Sequence, residues 1–270
     1  MKKMMSIMAA GLMVIALSAA AHAEDINMVG STTVLPIAQA TAEAFMDEHP
    51  NVNITVGGGG SSIGAKALLA GTCDIADCSR PLKSSEFEAA AKNGITPKAH
   101  VVAMDGIAVI VHPSNPVSAL SLEQIKAIYT GAISNWSEVG GSDKPIVIIS
   151  RDTSSGTYEA FNVLALEEEK VRPDALMQAS NNAVLQTVAQ TPDAIGYVGL
   201  GYVNNTVKAL PVQGILPSKE TVLSKKYPIS RPLYMYTNGE PKGVVKEYLD
   251  FVKGPKGQKI AEEQGFVGLM

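Results

Sequence analysis

Thiol, metal and nucleotide chemistry are all poorly provided for in this chain. Its 270 residues include two cysteines, four histidines and one tryptophan. Cys73 and Cys78 have no second cysteine pair and no histidine close by, so a structural zinc site is not expected. They are also badly spaced for a bridge. If residues 74 to 78 form a strand, the two Cα atoms stand roughly 16 Å apart, beyond disulfide reach, and two buried thiols are expected. No glycine loop ends in Gly-Lys-Ser/Thr, which excludes a Walker loop. No Gly-x-Gly-x-x-Gly with an acid downstream is present, so a dinucleotide site is unsupported. His49, His100 and His112 sit in no recognisable triad motif, so no catalytic residue, metal or cofactor is expected. Basic excess is missing as well. Acids outnumber lysine and arginine by 26 to 22, which gives no global attraction for nucleic acid or anionic lipid. Any bound anion must be held by local groups.

The start of the chain reads as an export signal. Lys2 and Lys3 precede an apolar run from Met4 to Ala21, and Ala21-His22-Ala23 fits an A-x-A cleavage site with Glu24 as the mature N-terminus. No cysteine near that point suggests a lipid anchor. A periplasmic location follows. Losing 23 residues with two lysines and no acid leaves 247 residues with a net charge of −6. Beyond this segment no apolar run is long enough to cross a membrane.

The remainder alternates short apolar strands with amphipathic helices. Strands are predicted over 26–29, 52–56, 73–76, 101–112, 146–150, 194–198 and 231–237. Helices are predicted over 36–48, 62–70, 84–92, 121–129, 156–166, 182–190, 243–252 and 255–264. Pro36 suits a first helical turn, and Ser121 with Gln124 is placed like a capping box. This order implies α/β architecture with mostly parallel sheets flanked by helices. Without repeats or a flexible linker, two lobes joined by two crossing segments are expected. Residues 24–106 and 205–270 are assigned to the first lobe, and 107–204 to the second.

Three loops carry the chemistry: Gly30 to Pro36, Gly57 to Ser62 and Arg151 to Thr157. Each follows a predicted strand and opens a predicted helix. A helix start offers unpaired N–H groups and a positive dipole end, hydroxyls add donors, and glycine permits close approach. The combination makes an anion site without net positive charge. A capped helix start explains any one of these loops equally well. Arg80 and Arg151 each follow a strand end, where ligands of open α/β sheets sit. Together they could clamp a tetrahedral oxyanion, or each could pair with an acid such as Asp77 or Asp152. Asn181 and Asn182 either face the same cleft or simply cap a helix.

The segments GSTTVLP, GGGGSSIGAK, DIADCSRPL, RDTSSGTYEAF and AIGYVGLGYV occur in this order over nearly the whole mature chain. In them the chain resembles the phosphate-binding proteins of bacterial phosphate ABC transporters. That resemblance implies a two-lobed periplasmic binding protein fold of type II with a dehydrated phosphate in the cleft. It also implies a monomer that delivers phosphate to an inner-membrane permease with a cytoplasmic ATPase. By residue, it implies contacts from Ser31, Thr32 and Thr33, from Ser61, and from Arg151, Ser154, Ser155, Gly156 and Thr157. Where the family is expected to place an acid that accepts the ligand proton, this chain is read as carrying Arg80, which can only donate. Arg80 is therefore expected as an extra cation on the ligand. Asp105, alone in an apolar strand, is expected as the acceptor and as the partner of Arg80, or else as half of a purely structural ion pair. Asp152 is expected to orient Arg151, and Trp136 to pack rather than bind. The same fold with sulfate, molybdate or a phosphonate is the alternative.

Overall fold

The computed structural model describes residues 24 to 269; the expected export signal lies outside the described residues. Within them the strands are β1 (Glu24–Gly30), β2 (Val52–Gly57), β3 (Ile75–Cys78), β4 (Pro97–Val111), β5 (Val147–Arg151), β6 (Leu176–Gln178), β7 (Ala194–Gly199), β8 (Lys208–Ala209) and β9 (Ser230–Asn238). The helices are α1 (Leu35–Glu48), α2 (Ser61–Leu69), α3 (Ser84–Lys92), α4 (Leu122–Thr130), α5 (Gly156–Ala165), α6 (Asn181–Gln190), α7 (Lys219–Leu223), α8 (Gly243–Lys253) and α9 (Pro255–Glu263). No helix among the described residues is long and apolar enough to cross a membrane.

The strands run in the order β2-β1-β3-β9-β4-β7-β5-β6. The β1, β2 and β3 strands are parallel, as are β5, β6 and β7, as expected when helices cross between strands. Strand β4 belongs to both halves. Its residues 97–106 pair with β9, and its residues 107–111 pair with β7. The change of partner falls between Gly106 and Ile107, and Asp105 stands opposite Arg231 in the register.

Each half covers both faces of its sheet. In the first, Ile26, Met28 and Ile75 pack against Ile37, Phe45, Tyr248 and Leu249 of α1 and α8. The other face packs Ala76 and Cys78 against Ala65 and Leu68 of α2. In the second, Val109 and Ile148 meet Ile125, Tyr129 and Phe161, while Ile110 and Ile149 meet Val184 and Val188 of α6. Residues 207–229, expected in the first lobe, pack with the second: Leu210, Val212, Val222, Tyr227 and Ile229 share the core of α4 and α5. The chain rejoins the sheet of β1 to β3 with β9, later than the boundary expected at residue 205.

Local signals placed the helices well. The Ser121 hydroxyl accepts the Gln124 N–H at 3.1 Å, and the Gln124 side chain accepts the Ser121 N–H at 2.9 Å. Trp136 is 1% exposed and donates to the Asp193 carbonyl at 2.9 Å, a packing role as expected. Both cysteines carry free thiols; Cys78 is buried, but Cys73 is only partly so, where two buried thiols were expected.

Candidate anion-binding cleft

The starts of α1, α2, α5 and α6 meet where the two lobes touch. Each is shaped by its own loop. The Ser31 hydroxyl accepts the N–H groups of Thr33 and Val34 at 3.1 and 3.4 Å. The Ser155 hydroxyl accepts those of Thr157 and Tyr158 at 3.2 and 3.1 Å. Side-chain oxygens thus satisfy N–H groups that a helix start leaves unpaired. Gly60 adopts a φ of 112°, a region that favours glycine. A Cβ there would lie 2.6 Å from the Ser154 carbonyl of the other lobe. A Cβ on Gly156 would lie 2.2 Å from the Ser61 hydroxyl oxygen. Both glycines are required for the lobes to come this close.

Hydroxyls and amides then bridge the lobes. Thr33 Oγ1 and Thr157 Oγ1 are 2.8 Å apart. Asn181 Nδ2 donates to Thr32 and Thr33 at 3.1 and 3.0 Å. At the rim, the Ser62 N–H donates to the Ser154 carbonyl at 3.0 Å, and the Ser154 hydroxyl lies between the Asp152 carboxylate and the Gly59 carbonyl. Ser154 therefore joins the lobes at the edge rather than lining the centre. The central groups Ser31, Thr32, Thr33, Ser61, Ser79, Arg151, Ser155, Thr157 and Asn181 are all buried.

Arg151 lies among them without a countercharge. Its Nε and Nη2 donate to the carbonyls of Gln178 and Ala179 at 3.0 and 3.1 Å. Its Nη1 is buried with no hydrogen-bond partner among the described residues. Burial lowers its pKa, because a cation removed from water is disfavoured. Asp152, expected to orient it, instead accepts the Ser154 N–H at 2.8 Å.

Arg231 and Arg80, near the cleft, are neutralised. Asp105 is paired with Arg231, not with Arg80 as expected: Nε and Nη2 of Arg231 donate to Asp105 Oδ2 at 3.0 and 2.8 Å. The in-register position on β9 explains the choice, because cross-strand neighbours are in reach of one another. Burial works to raise the Asp105 pKa and lower that of Arg231, while each charge opposes the shift of the other. Asp105 Oδ1 accepts the Leu200 N–H at 2.9 Å, so both of its oxygens are engaged within the protein. Arg231 also donates to the Ser79 and Gly156 carbonyls at 3.0 and 3.2 Å, and so ties the two lobes together.

Arg80 is committed elsewhere. Its two terminal nitrogens each donate to Glu86 at 2.8 Å, and its Nε lies 2.6 Å from Glu159 on the facing lobe. It forms a rim clasp instead of a second arm on a ligand. Arg231 and Ser79 are the cleft residues least visible in the sequence, whereas Asn181 faces the cleft, one of the two places expected for it. Arg231 repeats the Arg-Pro pattern of Arg80-Pro81 and interrupts an apolar strand, a usable but weak sign.

Residues 17 to 256 match the model of the PBP superfamily domain. The phosphate-binding protein PstS of Bacillus subtilis is 36% identical over 248 residues, covering 90% of this chain and 80% of that protein. PstS of Borreliella burgdorferi is 36% identical, covering 90% of each. Among solved structures, a candidate phosphate ABC transporter substrate-binding protein of Clostridium perfringens with bound phosphate is similar at a TM-score of 0.86. It is 36% identical, over 92% of this chain and 100% of that one. An ABC-type phosphate transport receptor of Vibrio cholerae is similar at 0.75 and 33% identity, over 90% and 99%.

Proposed function

We propose, for a chain that belongs to the PBP superfamily and to its phosphate-binding branch, that it captures inorganic phosphate between its lobes and delivers it to an ABC permease. Arg151 is the observation that carries the reading. A buried guanidinium nitrogen with no partner, beside the hydroxyls of converging helix starts, has the chemistry of an oxyanion seat. Arg80 and Arg231 are offset by carboxylates, so Arg151 supplies the charge that an acidic protein needs at this point. Thr32, Thr33, Ser61, Ser155, Gly156 and Thr157 are the proposed contacts, with Ser31 and Ser79 beside them. Since Asp105 is engaged with Arg231, the proton of monoprotonated phosphate goes to a hydroxyl that still has a free lone pair, and Ser79 beside Ser61 fits that need.

The same reading makes residues 1–23 a cleaved export signal and the mature chain a periplasmic monomer. It assigns no catalysis. Gly60, Ser62 and Gly64 match a nucleophile-elbow spacing, but the Ser62 hydroxyl donates to Glu159 at 3.2 Å and accepts from Arg80 at 3.1 Å. The names of the relatives favour phosphate over other tetrahedral oxyanions. Native mass spectrometry of protein purified without removing its ligand tests the reading. One retained phosphate per chain is expected, and protein that never carries an anion would refute it.

A further inference from the structure

The hydrogen bonds in the cleft constrain one another. A hydroxyl has one proton to give and two lone pairs to receive with. Asn181 Oδ1 accepts the Gly199 N–H at 3.1 Å, which fixes the amide so that its NH2 faces Thr32 and Thr33. Thr33 Oγ1 therefore receives one proton from Asn181 at 3.0 Å; one N–H of Arg231 Nη2 goes to Asp105, so the other is shared between Thr33 at 3.3 Å and Thr157 at 3.0 Å. A proton from Thr157 would be one more than Thr33 has lone pairs to receive, so Thr33 donates across the cleft to Thr157. Thr157 Oγ1 then receives from Thr33 at 2.8 Å and from Arg231 at 3.0 Å. Its lone pairs are filled in turn, and its own proton is left to point away from both. Ser31 and Ser155 reach the same condition more simply, each receiving two backbone N–H groups.

We propose that Asn181 is a positioning residue that sets the proton direction of the Thr33–Thr157 chain and so makes Thr157 a one-way donor to the bound anion. This rests on the phosphate reading and extends it: Asn181 shapes which protonation state of phosphate the cleft prefers. Without the Asn181 amide, Thr33 recovers a lone pair and the chain can reverse. Thr157 could then accept the ligand proton. The charged and titratable groups facing this chain are Arg231 from β9, Asp105 from β4 and Arg151 from β5, with Tyr202, whose hydroxyl donates to the Thr32 carbonyl. All of them remain when Asn181 is replaced, so their titration is common to both proteins compared.

The test is calorimetric titration of phosphate into wild type and Asn181→Leu, well above and well below the second ionisation of phosphate. Thermal melts check that the variant folds, and Asn181→Ala replaces it if Leu does not fit. The variant is expected to lose roughly tenfold or more in affinity for the dibasic ion, the effect of one hydrogen bond to a charged group. For the monobasic ion the loss should be several-fold smaller. Losses by the same factor at both pH values would overturn the proposal and leave Asn181 a structural residue. Absence of binding by wild type at either pH would overturn the phosphate reading instead.

Discussion

A buried guanidinium without a carboxylate is costly, and Arg151 bears that cost in the ligand-free protein. Arg151→Met should therefore raise the urea midpoint of the ligand-free protein, while phosphate no longer raises it further. Asp77 is a second costly residue. Its carboxyl oxygens are buried with no partner among the described residues, and burial raises its pKa well above the usual carboxylate range. The unfolded chain releases this proton above about pH 4, whereas the folded chain keeps it. Stability should fall as pH rises from there towards the folded pKa, by up to ~1.4 kcal/mol per pH unit. Asp77→Asn should flatten that part of the profile, as read from urea unfolding across the acidic to neutral range. Single residues were also the hardest to place from sequence. Asp105 was visible as an acid in an apolar strand, but its partner lies 126 positions away and is set by the β4–β9 register.

Elements were far more legible. Helices α1, α4 and α5 announced themselves through Pro36, through the Ser121–Gln124 box and through Ser155, because capping is local chemistry. The short pieces β6, β8 and α7 did not, since their pairing or packing comes from distant chain. Helix α5 also carries the clearest device for closure. Glu159 in its first turn reaches Arg80 Nε at 2.6 Å and Lys83 at 3.0 Å on the opposite lobe. This ion pair forms only when the lobes meet, so it stabilises the closed form, and its removal should speed ligand release. Glu159→Gln should weaken phosphate binding by ~1 kcal/mol, about fivefold, mainly through the off-rate. It should also reduce the salt dependence of release, as measured by stopped-flow at two ionic strengths.

At the scale of the whole molecule, the two-lobed plan could be read from the α/β alternation, and the switch of β4 from β9 to β7 falls beside the Asp105-Gly106 break in a long apolar strand. The late arrival of β9 was less legible, because residues 207–229 first pack into the core around α4 and α5. Two lobes that meet through hydroxyls, the hydrogen bonds of Arg231 and a rim clasp gain stability from anything that binds between them. Phosphate at a hundred times its Kd should add ~2.7 kcal/mol, which for a protein of this size is a rise of roughly 5–10 °C in Tm. Sulfate at the same concentration should give much less.

Calorimetric titration of phosphate into wild type and Arg151→Met in parallel probes the seat itself. Wild type should take up one phosphate per chain at micromolar or lower concentration, and the variant should show no binding heat. Equal uptake by both would mean that the anion is held somewhere other than between these lobes.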